Sequence, residues 1–213
     1  MIGRCLSTTM LIVFGLLVPA GDASTQGFEA EYESLVGGFS ASLDDETAVG
    51  RLVEEAGDLT DRIRAYRRDN RDSLSDEELD RLRDLANEVR AFESVTRVVG
   101  QIHNAADVSI ESFEAVRERL GLQPQVLLTH ESGLELIRID VGSFVSLLLR
   151  NPTQTTFSAS YGVNDPERPG GVGSAFCEKY SVMSGLFNSR DRELEGLEFI
   201  TIGAQPSRAG RCD

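Results

Sequence analysis

The stretch that decides the fold is RLVEEAGDLTDRIRAYRRDNRDSLSDEELDRLRDLANEVRAF, residues Arg51 to Phe92. Apolar residues recur through it, and just beyond both ends, at alternating spacings of three and four, which places them on one face of an α-helix. The first half carries this pattern at Val49, Leu52, Ala56, Leu59, Ile63 and Tyr66. The second half repeats it at Leu82, Leu85, Val89, Phe92, Thr96 and Val99.

A polar run, DNRDSLS, separates the two patterns and predicts a short turn between two helices. Asp44 or Thr47 is the predicted start of the first helix. Ser75 and Glu78 fit a capping box at the start of the second, because the two residues can bond each other's backbone N–H groups. We therefore predict an antiparallel, coiled-coil-like helical hairpin whose apolar stripe is largely satisfied inside the protein.

Proline divides the chain into two halves. None occurs between Ala20 and Pro124, and the first half is therefore predicted to be helical. A further helix is predicted over Ser109–Leu120, ended by Gly121. Phe28–Phe39 is a weaker helix candidate because it contains Gly37 and Gly38.

The second half alternates apolar and polar residues, which is typical of strands. The predicted fold class is thus α+β: the helical hairpin followed by a small antiparallel-sheet α+β domain, with domains at 1–23 (signal peptide), 24–122 and 123–213. The segment from Ser143 to Asn151 fits a short helix or a buried strand equally well, and PGGVGSAF is predicted to be a flexible loop. The predicted strands are Val126–Thr129, Ile137–Val141, Phe157–Val163 and Leu197–Ile202, with a turn at His130–Gly133.

The first residues have the layout of a secretory signal peptide. Arg4 supplies positive charge, Met10–Val18 is an apolar run, and small residues follow up to Ala20 and Ala23, the two predicted cleavage positions. The apolar run is about half the ~20 residues that a membrane-spanning helix needs. We predict a periplasmic or secreted protein.

Cleavage would remove Cys5 and leave Cys177 and Cys212. An even number of cysteines in an oxidising compartment predicts a disulfide between them. The alternatives are two buried thiols, or a two-thiol metal site lacking its other ligands.

The formal charge of −14 disfavours nucleic-acid binding, because an acidic protein repels phosphate backbones. Five arginines form a local basic group in this acidic chain: Arg62, Arg64, Arg67, Arg68 and Arg71. Arginine is favourable at a helix C-terminus, which explains them structurally. The functional interpretation is a basic tip that docks an acidic partner or lipid headgroups.

Motifs for chemistry are scarce. The two histidines, His103 and His130, belong to no metal-binding or nucleophile–base signature. Glu131 and Ser132 flank His130, but adjacent residues on an extended strand point to opposite faces, so we expect a polar turn. The acidic clusters stand at predicted helix starts, where negative charge is favourable. The sequence predicts no catalytic residue, cofactor or metal.

The leading hypothesis is an exported, non-enzymatic protein that mediates protein–protein contacts in the bacterial cell envelope. If the apolar N-terminus is retained, membrane contact follows. The order of apolar segment, paired helices and small α+β domain then resembles inner-membrane assembly proteins of type IV pilus and type II secretion systems, which implies a scaffold with a coiled coil and a ferredoxin-like domain. A third alternative is a periplasmic small-ligand binder or an unrecognised hydrolase.

Overall fold

The computed structural model describes residues 25–100, 108–142, 144–164, 169–184 and 198–206. The predicted signal peptide at 1–23 lies outside these residues, as do His103, Ser143 and Cys212. In chain order the elements are α1 (Thr25–Ser42), α2 (Glu46–Asp69), α3 (Asp76–Val99), β1 (Val108–Ser109), α4 (Ile110–Arg119), β2 (Pro124–Thr129), β3 (Glu135–Val141), β4 (Phe144–Asn151), β5 (Phe157–Asn164), β6 (Pro169–Cys177), β7 (Ser181–Ser184) and β8 (Glu198–Pro206). The predicted α+β class is confirmed.

The helix ends follow local chemistry. Asp45 is the N-cap of α2, between the two predicted starts, Asp44 and Thr47, and its carboxylate accepts the N–H of Thr47 at 2.9 Å. The predicted capping box of α3 is confirmed, since the N–H of Ser75 donates to Glu78 at 2.9 Å and the N–H of Glu78 donates to the Ser75 hydroxyl at 3.3 Å. The N–H and the hydroxyl of Ser75 both donate to the Glu78 carboxylate and hold the pKa of Glu78 below its usual value.

Helices α2 and α3 pack antiparallel. At one end, Arg67 of α2 bonds Leu79 of α3. At the other, Gly100 follows α3 and lies so close to Val49 of α2 that an added Cβ would stand 2.6 Å from a Val49 methyl group. The predicted apolar positions are buried between them, apart from the partly buried Tyr66.

Helix α1 is a third partner for this pair. It is 18 residues long and includes Gly37 and Gly38. Tyr32 and Phe39 pack edge to face against Phe92 of α3, with ring centroids 5.8 Å and 6.2 Å apart. The apolar stripe is buried inside the protein, as predicted, with α1 packing beside α2 and α3. Burying an aromatic side chain stabilises the folded state by about 1.5–3 kcal/mol. This gain outweighs the roughly 1 kcal/mol of stability that each helical glycine costs.

A five-stranded antiparallel sheet lies beside the helices, with strand order β1-β7-β4-β3-β2. The predicted alternation in β3 is present, with Ile137, Ile139 and Val141 in the helix-facing core. The 144–151 segment is strand β4, which settles the alternative left open by the sequence. Both its faces are covered: Leu148 belongs to the helix-facing core and Leu149 to a second core.

The second core lies between this sheet and a three-stranded antiparallel sheet of order β6-β5-β8. Strand β6 contains the whole glycine-rich segment PGGVGSAF, so the prediction of a loop is wrong. The reason is a tertiary contact, because β6 pairs with β5 from Phe157↔Cys177 to Asn164↔Pro169. The hydrogen bonds between these two strands offset the low strand propensity of glycine.

One apolar cluster joins the two predicted halves of the chain. It contains buried side chains from all four helices and from β3, β4 and β7. The position of the predicted domain boundary, between residues 122 and 123, stays a prediction.

Candidate functional site

Four of the five predicted arginines lie together where α2 ends and α3 begins. They line a depression of about 610 Å³, and we call them the arginine cluster: Arg64, Arg67, Arg68 and Arg71. Their spacing of three, four and seven residues places them on one face along α2 and the turn that follows it. Asp76, Leu79 and Asp80 of α3 form the opposite wall, which leaves an excess of two positive charges.

The fifth arginine, Arg62, points elsewhere. Its guanidinium pairs with Glu31 of α1, with one N–H···O distance of 3.2 Å. The hydrogen bond to Glu31 is the main cause that raises the pKa of Arg62. Arg62 therefore links α1 to α2 and is not among the residues lining the depression.

The members of the arginine cluster differ in their partners. Arg67 is half-buried and its Nε donates to the main-chain oxygen of Leu79 at 2.9 Å. Arg68 bonds its neighbour Asp69 at 3.0 Å in an exposed pair, which contributes little to stability. The side chains of Arg64 and Arg71 are exposed and make no ion pair or hydrogen bond within the part of the chain that the structure describes. These two guanidinium groups are available to a ligand.

A second depression, of about 730 Å³, runs between α1 and α3. Arg119 of α4 lies in it, with its guanidinium carbon 4.5 Å from the centre of the Tyr32 ring. One guanidinium nitrogen lies 3.2 Å from a Glu88 oxygen in an ion pair, and Glu33 is a further partner. Burial raises the pKa of Tyr32 to about 12. The acidic lining therefore already binds a cation from its own fold. Six carboxylates line this depression: Glu29, Glu33, Glu77, Asp80, Asp84 and Glu88.

Sequence analysis did not single out this acidic depression. The signal was present, since Glu77, Asp80, Asp84 and Glu88 recur at spacings of three and four along α3. The spacing pattern does not predict the position of Arg119, which reaches the depression from α4.

The His130–Gly133 turn is confirmed. The N–H of His130 bonds the oxygen of Leu134, and the N–H of Gly133 bonds the oxygen of His130, both at 2.8 Å. The side chains of His130 and Ser132 meet, with Nδ1 and Oγ 2.8 Å apart, because the turn folds residues two apart to the same side. The N–H of Ser132 also donates to Nδ1 at 3.1 Å. Among the described residues no carboxylate bonds this pair, so the contact closes a turn.

Cys177 is buried at the end of β6, with its sulfur 4.0 Å from the hydroxyl oxygen of Ser181. Its predicted partner, Cys212, lies outside the described residues, and the disulfide stays a prediction. Within those residues no group of three or more His, Cys, Asp or Glu side chains is arranged to hold a metal ion. No helix in the same part of the chain is long and apolar enough to cross a membrane.

Comparison with known proteins found no matching family model, no matching curated protein and no matching solved structure.

Proposed function

We propose that the protein is an exported, non-enzymatic protein that mediates protein–protein contacts in the bacterial cell envelope or outside the cell. The observation that carries the proposal is the arginine cluster, a locally positive surface on a chain of formal charge −14. Such a surface steers acidic groups to one place while the rest of the molecule repels them.

Arginine supplies every Lys or Arg position of the chain except Lys179, and its chemistry suits a protein partner. Arginine is enriched at protein interfaces, whereas lysine is depleted there. Its planar guanidinium binds a carboxylate through two parallel hydrogen bonds, and it loses less entropy per bond than a lysine does. Every cationic side chain of the cluster is an arginine.

A capture experiment tests the interaction. The mature protein is immobilised and exposed to envelope extract, alongside the double variant R64E/R71E and the matched variant R51E/R90E. The control makes the same change in charge at two exposed arginines on α2 and α3 outside the depression. We expect the same partner with wild type and control and its loss with R64E/R71E. Equal capture by all three proteins would refute docking at the cluster.

Export rests on the N-terminal sequence and has its own test. N-terminal sequencing of the mature protein should find a first residue after Ala20 or Ala23, and alkylation should add mass at Cys177 and Cys212 only after reduction. Retention of the first residues would argue instead for the membrane-anchored scaffold.

A further inference from the structure

We infer that the arginine cluster binds an acidic α-helical segment of the partner, through two carboxylates spaced two helical turns apart that pair with Arg64 and Arg71. This inference rests on the proposed function and specifies the chemistry of its partner. It follows from which members of the cluster are free and how far apart they lie.

Arg64 and Arg71 are seven residues apart. Along a helix, seven residues make almost two full turns and a rise of about 10.5 Å, and both arginines line the same depression. Arg64 lies in α2, and Arg71 follows its C-cap residue, Asn70. Both side chains are exposed and without a hydrogen bond to another described residue.

The residues between them are already engaged. Arg67 is held by the main chain of Leu79, and Arg68 is paired with Asp69. Arg67 and Arg68 thus already have partners within the fold, whereas Arg64 and Arg71 offer free guanidinium groups. A ligand gains most by presenting one carboxylate to each end.

The opposite wall restricts the ligand further. Asp76 and Asp80 line it, and Asp80 pairs with Arg83 at 2.9 Å. A second row of acidic groups on the ligand would face these carboxylates and be repelled. The favoured ligand is therefore a helix with acids at positions i and i+7 on one edge, because carboxylates at that spacing lie about 10.5 Å apart along one face and can each reach one of the two free arginines.

Fluorescence anisotropy with labelled, alanine-rich helical peptides tests this geometry on the full mature protein. One peptide carries glutamates at i and i+7; its matched control has the same composition with glutamates at i and i+5, which lie on opposite faces. In about 0.1 M salt we expect the i, i+7 peptide to bind on the order of tenfold more tightly. R64E/R71E should abolish that preference and R51E/R90E should keep it, with folding of each variant checked by circular dichroism.

Equal affinity for the two peptides would overturn the inference while leaving the capture experiment to decide the proposed function. Two further experiments test whether a different ligand binds the arginine cluster. If vesicles containing phosphatidylglycerol bind in an R64E/R71E-sensitive way and neither peptide does, the site recognises headgroups and the inference is wrong. If sedimentation shows a dimer that R64E/R71E dissociates, the occupant is a second copy of this chain, which also contradicts it.

Discussion

The guanidinium Nε of Arg67 lies 2.9 Å from the main-chain oxygen of Leu79 and ties the last turn of α2 to the first turns of α3. Arg64 and Arg71, on the same face, have no such bond to a described residue. One run of arginines in the sequence thus contains two kinds of side chain, one that supports the fold and one that is free to bind.

This difference predicts opposite phenotypes. Arg67→Ala should lower the free energy of unfolding by about 1–2 kcal/mol, because it removes a half-buried hydrogen bond. Arg64→Ala and Arg71→Ala should change it by less than about 0.5 kcal/mol. Urea unfolding at neutral pH measures all three, and equal effects of the three substitutions would contradict the assignment.

The glycines of the helix pair also separate into two kinds. A methyl group added at Gly100 would lie 2.6 Å from a Val49 methyl carbon and 2.8 Å from the main-chain oxygen of Thr96. We expect Gly100→Ala to destabilise by about 1–3 kcal/mol through overpacking. At Gly57 the nearest atoms would be 3.9 Å away, on the Glu93 carboxylate. Gly57→Ala should therefore stabilise by roughly 0.5–1 kcal/mol, and thermal unfolding of the two variants should shift in opposite directions.

Asn151 is a fully buried polar hub at the end of β4. Its Nδ2 lies 2.8 Å from the oxygens of Thr155 and Glu178 and 3.1 Å from that of Cys177. Its Oδ1 accepts two hydrogen bonds from Thr153. Asn151→Asp would place a charge against three carbonyl oxygens.

We expect Asn151→Asp to cost about 3–5 kcal/mol, the usual penalty for an uncompensated buried charge. The same substitution at the exposed Asn87 of α3 should cost less than about 0.5 kcal/mol. Urea midpoints compare the two proteins, and a stability of the Asn151 variant near that of the Asn87 variant would show that the hub contributes little.

The raised pKa of Tyr32 predicts that the protein loses stability at alkaline pH. Burial raises the pKa of its phenol from 10.0 to about 12, so the folded state binds the proton more tightly than the unfolded state does. The resulting stabilisation is complete below pH 10.0 and is lost as pH rises towards about 12. Wild type should therefore lose more stability over this range than Tyr32→Phe does. Denaturant midpoints at stepped pH values measure the difference, and parallel curves would rule out the effect.

Local chemistry decided which parts of the fold could be predicted. The capping box at Ser75, the turn at Gly133 and the alternation in β3 each depend on residues close in sequence, and all three are present. Strand β6 could not be predicted, because only its pairing with β5 makes a glycine-rich segment extended. Helix α1 was underestimated for the same reason, since its aromatic residues are stabilised by Phe92, more than fifty positions away.

The candidate site shows the same limit. Helical spacing places Arg64, Arg67 and Arg68 near one face and Arg62, two residues before Arg64, on the opposite one. What the spacing does not predict is the partner of Arg62, which is Glu31 on a different helix. Which arginines remain free depends on contacts between residues that are distant in the sequence, and no short stretch of sequence predicts those contacts.

The most direct test of recognition by Arg64 and Arg71 is a charge exchange. Titration calorimetry would measure the binding of R64E/R71E to a helical peptide carrying arginines at positions i and i+7. We expect this exchanged pair to bind with an affinity close to that of wild type for the glutamate peptide, and neither mismatched pair to bind. Failure of the exchanged pair, with the variant folded and wild type binding the glutamate peptide, would contradict pairing at these two positions.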